Sequence, residues 1–533
     1  MKNARKLAAL LLALAMASSA AACSGPSESG SQANEGASSA AQTDGETSGG
    51  EESQEPATKL TLFVDESWWP YDTWEGAIPE EFNKRANVDI EVTRAADDNQ
   101  LTLMVASGDM TDLVCSWRYQ HMAKEGVSYA FDTLHEEYPD VDFPVDPVTQ
   151  FVNTMADGHY YTIGCGFSPA SEVEKWDQFE AEGAGFIYRT DIAEELGISF
   201  ETLDDLDAAF AAVKEAYPEM SPTSFNCIHK FGWLRNMMGL PGSSYYEKED
   251  GTLGWYIEAP GQLDYYKKVN EWYRSGYILP DNFAYQSEDD SKQLMLSGKA
   301  FSTFSYDNHA DNYNTEAQSS GIDFSFSLQI DPIGENAAMY SSNVGGRGVY
   351  ITKSCQNVEK AYETVAYMYG DEGMKLLMWG IEGEDYTLNE DNYPVFNYNF
   401  QGDNSVLQPR GLKYWGWLVH NEIVTGIADV TSDTLTAKAR VATGSILVKN
   451  PVLGLIRFET DSEESVISSK LSEMIKAEEI NVYMAESEEA CEAAYNAMIE
   501  KANSIGMQTL VEYGNSLYPD LKAQYDEIVA GAE

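Results

Sequence analysis

The chain has 533 residues, of which 43% are hydrophobic and 12% aromatic, and its formal net charge is -53. A surface this acidic repels phosphate backbones, so nucleic-acid binding is disfavoured, because its affinity comes from lysine and arginine displacing counterions. The length allows two or three folding units with a large hydrophobic core.

The amino terminus has the pattern of a bacterial lipoprotein signal. A short basic start precedes an apolar run over residues 7–17, and small residues lead into Cys23. That run is too short to cross the roughly 30 Å of a bilayer core. We therefore predict a signal peptide over 1–22 and a lipid on Cys23, although Ala20 stands where lipoprotein motifs usually have leucine. The alternative is that Cys23 is an ordinary residue behind a plain secretory signal.

A polar segment follows and separates this signal from the rest of the chain. Residues 23–57 are mostly Ser, Gly, Ala, Gln, Glu and Thr, with no aromatic residue. Such a composition cannot bury enough apolar surface to offset the entropy of ordering. We predict a disordered tether with a reach of roughly 30–35 Å, which would hold a folded body at the extracellular face of the cell membrane. No later apolar run is long enough to predict a transmembrane helix.

From residue 58 onward, strand patterns alternate with helical patterns. Strands are predicted at 59–64, 88–93, 113–115, 186–188, 324–328 and 348–352, and a hairpin turn at 249–252. Helices are predicted at 78–86, 99–107, 202–217, 262–275, 293–297 and 357–369, over most of 461–498, and from 503 onward, and Thr202 is predicted as the N-cap of the third. This alternation indicates an α/β fold with a parallel sheet, whose ligands lie at the carboxyl ends of the strands.

Catalytic and metal-binding motifs are missing from the sequence. It contains no G-x-S-x-G, H-E-x-x-H, P-loop or G-x-G-x-x-G pattern, and its cysteines form no CxxC pair. We therefore predict no catalytic residue, no metal site and no cofactor. A pair of carboxylates at glycosidase spacing stays open as an alternative, since 87 acidic residues produce many chance pairs.

Aromatic residues cluster where loops are expected. Flat rings stack on the apolar faces of sugars, while neighbouring polar groups bind the hydroxyls. The candidate ligand-binding residues are Trp68, Trp69, Trp117, Arg118, Tyr160, Tyr161, Trp233, Phe304, Tyr306, Asp307, Trp415 and Trp417. This combination favours a carbohydrate over an ion.

Five segments in order resemble a known family. They are LTLMVASGDMTDLV (101–114), NEWYRSGYILP (270–280), MLSGKAF (295–301), GVYITKSCQNV (348–358) and DEGMKLLMWGIEGEDYT (371–387). Together they resemble the family 1 extracellular solute-binding proteins of ABC importers, and the last segment resembles a clostridial lipoprotein group within it.

The resemblance implies a two-lobe periplasmic-binding-protein-like fold (type II) with a ligand cleft between the lobes. By analogy, lobe 1 takes 58–187 with 323–384, and lobe 2 takes 188–322 with 385–533. It also implies that Trp117 and Arg118 form a sugar contact after a strand, that Phe304, Tyr306 and Asp307 lie in a crossing segment, and that Trp415 with Trp417 form an aromatic surface of the second lobe. The implied partners are a small solute and the permease subunits, with the receptor itself a monomer.

Three functions follow from these observations. The first is a receptor that captures an oligosaccharide and breaks no bond in it. The second is a receptor for a peptide or another polar metabolite, in which Arg118, Arg189 or Arg347 would clamp a carboxylate bidentately. The third, from a different class, is a surface glycosidase or adhesin.

Overall fold

The computed structural model describes residues 56–173, 183–228, 230–242, 244–400 and 404–532. The predicted signal peptide, Cys23 and the predicted tether up to residue 55 lie outside the described residues.

Within the described residues, short strands are interspersed with helices throughout. The strands are β1 Thr58–Val64, β2 Val88–Arg94, β3 Leu113–Ser116, β4 Ala184–Arg189, β5 Ser221–Phe225, β6 Tyr245–Glu247, β7 Leu253–Trp255, β8 Ala300–Tyr306, β9 Phe326–Leu328, β10 Met339–Ser341, β11 Gly348–Ile351, β12 Tyr386–Leu388, β13 Pro394–Phe396 and β14 Leu447–Lys449.

The α-helices are α1 Ala77–Ala86, α2 Gln100–Ser107, α3 Tyr119–Met122, α4 Phe131–Glu137, α5 Pro147–Asn153, α6 Ala170–Val173, α7 Thr190–Leu196, α8 Leu203–Ala216, α9 Gly232–Met237, α10 Gln262–Arg274, α11 Glu288–Leu296, α12 His309–Ser320, α13 Val358–Tyr369, α14 Asp371–Trp379, α15 Asn404–Arg410, α16 Glu422–Val430, α17 Leu435–Gly444, α18 Pro451–Gly454, α19 Glu463–Tyr483, α20 Glu488–Ile505 and α21 Met507–Ala532. Short 3₁₀ helices cover Tyr256–Glu258, Pro280–Ala284 and Trp415–Leu418.

The first sheet has the strand order β11-β3-β1-β2. Strand β1 runs parallel to β2 and β3, with Leu62 opposite Leu113, whereas β11 runs antiparallel to β3, with Val349 opposite Cys115. The prediction of a parallel sheet is therefore confirmed for the three amino-terminal strands only. Because β1 and β3 are parallel, the loops after Val64 and Ser116 emerge at the same edge.

The second sheet has the order β5-β8-β4-β9. Strands β5 and β8 are parallel, while β4 runs antiparallel to both β8 and β9. The carboxyl ends of β5 and β8 therefore lie together, next to the start of β4. These ends carry Asn226 and Tyr306.

Each sheet has its own hydrophobic core. The first core packs the strands of the first sheet against α13, α14 and α16, with Trp379 and Trp415 fully buried. The second core packs the second sheet against α8, α9, α10 and the carboxyl-terminal helices α19–α21, with Trp272 and Phe304 fully buried. Large apolar rings removed from water in this way are the main stabilising contribution of both lobes.

Strand pairing and core contacts link segments across the predicted lobe boundaries, which themselves stay a prediction. Strand β4, expected to begin within lobe 1, pairs in the second sheet, and so does β9, from the 323–384 segment expected in lobe 1. The segment from Tyr386 to Ala428, expected in lobe 2, packs into the first core. Strand pairing and core contacts are made between residues far apart in sequence, so local patterns did not locate them.

Local signals, in contrast, located several helix ends and one turn. Thr202 was predicted as the N-cap of the helix that begins at Leu203, and its backbone N–H and hydroxyl both donate to the Asp205 carboxylate, at 2.7 and 2.9 Å. Gly108 ends α2 in the left-handed conformation, with φ of 72°. The turn at 249–252 joins β6 to β7 as an antiparallel hairpin, as predicted.

Candidate functional site

Two tryptophans stand exposed in the loops that follow β1 and β3. Trp68 is 53% exposed and Trp117 is 52% exposed. Burying a large ring is favourable, so two indoles left half in water at one sheet edge are informative. Both lie where a parallel sheet directs its ligands.

A buried cation holds these rings in place. The guanidinium of Arg347 lies 4.9 Å from the centre of the Trp117 ring and 5.7 Å from that of Trp68. Its Nη2 donates to Glu66 Oε1 at 3.1 Å, and the Trp68 indole N–H donates to Glu66 Oε2 at 2.6 Å. Arg347 is only 4% exposed. Its attraction to the rings and its ion pair with Glu66 therefore act away from bulk water and are stronger than they would be in water.

A third tryptophan extends this surface. Trp417 is partly buried, and its ring centre lies 6.2 Å from that of Trp68 and 4.8 Å from that of Tyr414. We call Trp68, Trp117 and Trp417, with Glu66 and Arg347, the tryptophan site.

Asp65 and Arg118 form a second ion pair at the same edge. Arg118 Nε lies 3.2 Å from Asp65 Oδ2, which also accepts a hydrogen bond from the Ser116 hydroxyl at 2.7 Å. Burial raises the pKa of Asp65, while the hydrogen bond from Ser116 and the charge of Arg118 oppose that rise. Arg118 therefore lies at the same sheet edge as the tryptophan site and is paired with Asp65.

Several predicted ligand contacts are core residues in this structure. Exposure is 0% for Trp69, Phe304 and Trp415, 1% for Tyr161, 5% for Trp233 and 6% for Tyr160. Phe304 lies in the interior of β8 rather than in a loop, and its ring packs against Trp272 with centres 5.7 Å apart. Trp69 and Trp415 pack against each other beneath the tryptophan site, with ring centres 6.1 Å apart. A buried ring has no face left for a solute, so these six gain no support as contacts.

The second lobe presents a different set of groups at the ends of β5 and β8. Tyr306 is partly exposed, and its ring centre lies 5.1 Å from that of His309. Glu288 Oε2 lies 3.7 Å from His309 Nε2 and accepts a hydrogen bond from Asn226 at 2.9 Å. Asp307, predicted as a ligand contact, is 3% exposed and is bound by Arg440.

Sequence reasoning missed the residues that hold the tryptophans. Glu66 precedes the candidates Trp68 and Trp69 and is not among the predicted contacts, and Arg347 is predicted only as a carboxylate clamp. Nothing local marks either residue, because they meet across 281 positions. The one usable signal was the Gly345-Gly346-Arg347-Gly348 run, since glycines often mark close backbone approach.

His420 is a further missed neighbour of this region. Its Nδ1 lies 2.7 Å from the Thr425 hydroxyl, and its carbonyl accepts a hydrogen bond from Gly166 N–H at 2.7 Å. Burial, followed by the charge of Arg347, lowers the pKa of His420 to about 4. The imidazole is therefore neutral at physiological pH.

Two surface cavities lie away from the tryptophan site. One, of about 840 Å³, is lined by Tyr119, Phe151, Arg457 and Tyr513 among others. The other, of about 910 Å³, is lined by residues that include Tyr245, Tyr340 and Asn450. Neither includes an exposed tryptophan.

Two further findings apply to the described part of the chain. None of its clusters of His, Cys, Asp and Glu has three members placed to hold a metal ion. Nor is any of its helices both long and apolar enough to span a bilayer.

Comparisons with known proteins agree with this architecture. A family model described as bacterial extracellular solute-binding protein matches residues 68–375. A comparison with curated protein sequences finds no match.

Solved structures share the fold over most of their length. The substrate-binding protein FusA of Streptococcus pneumoniae, in complex with kestose, is 16% identical with a TM-score of 0.66, over 88% of this chain and 100% of that one. A human-milk-oligosaccharide-binding protein of Bifidobacterium longum infantis is 14% identical with a TM-score of 0.61, over 88% and 99%. The alginate-binding protein AlgQ2 is 16% identical with a TM-score of 0.63, over 87% and 98%.

Identities this low show the fold alone, which is the two-lobe α/β fold of solute-binding proteins. The family match covers more than half of the chain. Members of this family bind solutes for ABC transporters and are not enzymes. The chain belongs to the bacterial extracellular solute-binding protein family and is the solute-binding protein of an ABC transporter.

Proposed function

We propose that this protein is a lipid-anchored receptor that captures an oligosaccharide at the tryptophan site and passes it to an ABC permease. The observation that carries the proposal is the pair of half-exposed indoles, Trp68 and Trp117, held on a buried arginine. Sugar rings have apolar faces that stack on such surfaces.

The rigidity of the rings supports this assignment. Trp68 is fixed by its hydrogen bond to Glu66, and Trp117 by the Arg347 guanidinium. Ordering two flexible side chains on binding would cost affinity, and preorganised rings avoid that cost. A micromolar Kd corresponds to about -8 kcal/mol, which a few stacked rings and paired hydroxyls can supply.

The second lobe would complete the site from the opposite side. Tyr306, His309 and Glu288 offer one ring and several polar atoms at the ends of β5 and β8. A solute that touches both lobes stabilises the closed form by its differential affinity for closed over open. A permease would sense occupancy through that shift.

The peptide alternative is weakened by the state of its arginines. Arg118 pairs with Asp65 at 3.2 Å and Arg347 with Glu66 at 3.1 Å. Arg189 donates to Asp191 at 2.8 Å and stacks on Phe324, 3.5 Å from its centre. Each candidate clamp already binds a carboxylate of the protein itself.

The ligands of similar structures point the same way. FusA is in complex with kestose, and a second S. pneumoniae protein, NgtS, with Man1GlcNAc. These are properties of those proteins, and they favour a saccharide over a peptide as the first ligand class to test here.

The anchor belongs to the same proposal. A lipid on Cys23 and a tether over 23–57 would hold the body at an r.m.s. distance of roughly 30–35 Å from the membrane. Capture and delivery would then both take place at the outer face of the cell membrane, with the protein acting as a monomer.

Isothermal titration of the purified body with oligosaccharides and with peptides tests the proposal. We expect at least one oligosaccharide to bind, and Trp117→Ala or Trp68→Ala to weaken it by at least about tenfold. Leu103→Ala is the matched control, because Leu103 is 68% exposed on α2 outside the site. Binding of peptides alone, or saccharide binding that survives both tryptophan variants, would refute the proposal.

A further inference from the structure

Arg347 of the tryptophan site and Arg118 at the same sheet edge are both paired with carboxylates of the protein itself. Arg347 pairs with Glu66 at 3.1 Å, and Arg118 with Asp65 at 3.2 Å. The side chains of Arg347, Glu66 and Asp65 are only 5%, 14% and 2% exposed. A ligand carboxylate that claimed either arginine would leave a buried carboxylate of the protein unpaired, which is costly.

A nearby lysine is also held by the protein. Lys413 Nζ lies 5.8 Å from the Trp417 ring. It is 8% exposed and donates to the carbonyl of Phe400 at 2.9 Å. Arg347, Arg118 and Lys413 are thus held by groups of the protein itself, and so is Arg94, exposed at the end of β2, which donates to the carbonyl of Trp69 at 2.7 Å.

The second lobe repeats this arrangement. Arg440 donates to both Asp307 oxygens, at 2.9 and 3.1 Å, and both side chains are buried. His309 faces Glu288 at 3.7 Å. These cations face carboxylates of their own lobe.

An exposed lysine does not change the sign of the charge at this edge. The charge of Lys476 on α19 acts to lower the pKa of the Cys227 thiol, which lies just beyond β5. The charges of Glu288 and Asp290 act to raise the pKa of the same thiol, and the effect of Glu288 is larger than that of the lysine. Around all of these groups lies a chain with a formal net charge of -53, whose field repels anions before they arrive.

We infer that the ligand is an uncharged saccharide, and that the site rejects saccharides bearing carboxylate or sulfate groups. The inference rests on the proposed function and narrows its substrate class. The observation behind it is that paired arginines stand beside unshielded aromatic faces, which suit hydroxyl-bearing rings rather than anions.

The test compares saccharides that differ only in charge. Neutral oligosaccharides and their uronate counterparts, in which a hydroxymethyl group is replaced by a carboxylate, are titrated calorimetrically into the full mature chain. We expect the uronate to bind at least about tenfold more weakly than its neutral counterpart. We also expect the neutral affinity to be unchanged between low and high salt, because no ligand charge is screened.

A charge variant makes the test specific to the site. Asp65→Asn keeps the shape of the side chain but leaves Arg118, whose side chain is 27% exposed, without its partner. We expect this variant to reduce the ratio of the neutral ligand's affinity to the uronate's affinity by at least about fivefold. Glu81→Gln removes the same charge from an ion pair on α1, with Arg85 at 2.8 Å, and is expected to leave the difference unchanged.

The outcomes separate the two proposals. Uronates that bind the wild-type protein as tightly as neutral sugars would overturn this inference. That result would not contradict the proposal that the protein is a saccharide receptor. Absence of binding by saccharides of either kind would overturn both. Should Asp65→Asn fail to fold, the wild-type pairs and their salt dependence still decide the question.

Discussion

The Trp117 ring lies directly against the backbone of Gly346. A Cβ atom on residue 346 would overlap the six-membered part of the indole. The glycine thus permits the ring to lie flat beside Arg347, whose guanidinium is 4.9 Å away. The absence of a side chain at Gly346 thus allows the orientation of the exposed Trp117 ring.

We expect Gly346→Ala to weaken solute binding by about tenfold while the protein stays folded. The half-exposed ring can swing into solvent, so the clash costs orientation more than stability. Titration calorimetry and a melting curve measure the two effects separately. Gly126→Ala is the control, because a Cβ there meets nothing within 4 Å. Unchanged affinity in Gly346→Ala would show that the ring position does not matter.

Replacing Arg347 by methionine should destabilise the fold by about 3–5 kcal/mol. The change leaves the partly buried Glu66 without its cation and removes the cation between Trp68 and Trp117. Urea denaturation followed by tryptophan fluorescence gives the free energy of unfolding. Arg85→Met, which breaks a more exposed ion pair on α1, should cost about 1 kcal/mol or less. Equal losses in the two variants would contradict the buried role of Arg347.

His420 should make stability fall as the pH is lowered. Burial lowers its pKa to about 4, below the ordinary value of about 6.5, so the unfolded chain takes up its proton first. The stabilisation is present above about pH 6.5 and is lost as the pH falls from there towards 4. Between pH 7 and 5 this amounts to about 2 kcal/mol.

The comparison with His420→Gln isolates that contribution from the many carboxylates. Melting temperatures of the two proteins are measured from pH 7 to 5. The wild-type value should drop more than that of the variant. An equal drop in melting temperature in the two proteins would mean that His420 takes up its proton as readily in the folded state as in the unfolded state.

Trp415 and Trp417 should respond differently to truncation, although they are two residues apart. Trp415 is fully buried, so Trp415→Ala should cost about 3–5 kcal/mol of unfolding free energy. Trp417 is partly exposed at the tryptophan site, so Trp417→Ala should cost less stability and mainly weaken solute binding. Denaturation and calorimetry on both variants decide this, and a stability loss as large in Trp417→Ala would place Trp417 in the core.

Cys23→Ala should release the protein from the membrane. A lipid on Cys23 is the proposed anchor, and the charge of -53 gives the body no attraction to anionic headgroups. Detergent-phase partitioning of cell extracts measures attachment. Cys227→Ala, at a free and partly exposed cysteine of the body, is the control and should remain membrane-bound. Equal partitioning of all three proteins into the detergent phase would remove Cys23 from the anchor.

Local structure was accessible from the sequence because its causes are local. The strand predicted at 59–64 is β1, the helix predicted at 262–275 is α10, and Thr202 caps α8 as expected. Helix starts, stops and alternating burial depend on residues within one or two turns of each other. The family resemblance was readable for the same reason, since it rests on contiguous segments.

The candidate site was only partly accessible. The predicted ligand contacts included Trp68, Trp117 and Trp417. They also included residues whose rings are buried, among them Phe304 and Trp415. An aromatic residue after a strand looks the same in sequence whether its ring faces solvent or the core. What distinguishes them is packing by residues far away in the sequence, such as Trp272 against Phe304 and Trp69 against Trp415.

The sequence by itself determined the class of protein, the alternation of strands and helices, and the abundance of rings and negative charge available to a site. The tertiary structure alone decided which rings remain in water, which segments belong to each lobe, and that Arg118 and Arg347 are paired. The reason is physical: exposure and ion pairing are properties of contacts between distant parts of the chain, such as Glu66 with Arg347, and this contact exists only once β1, β3 and β11 have assembled into one sheet.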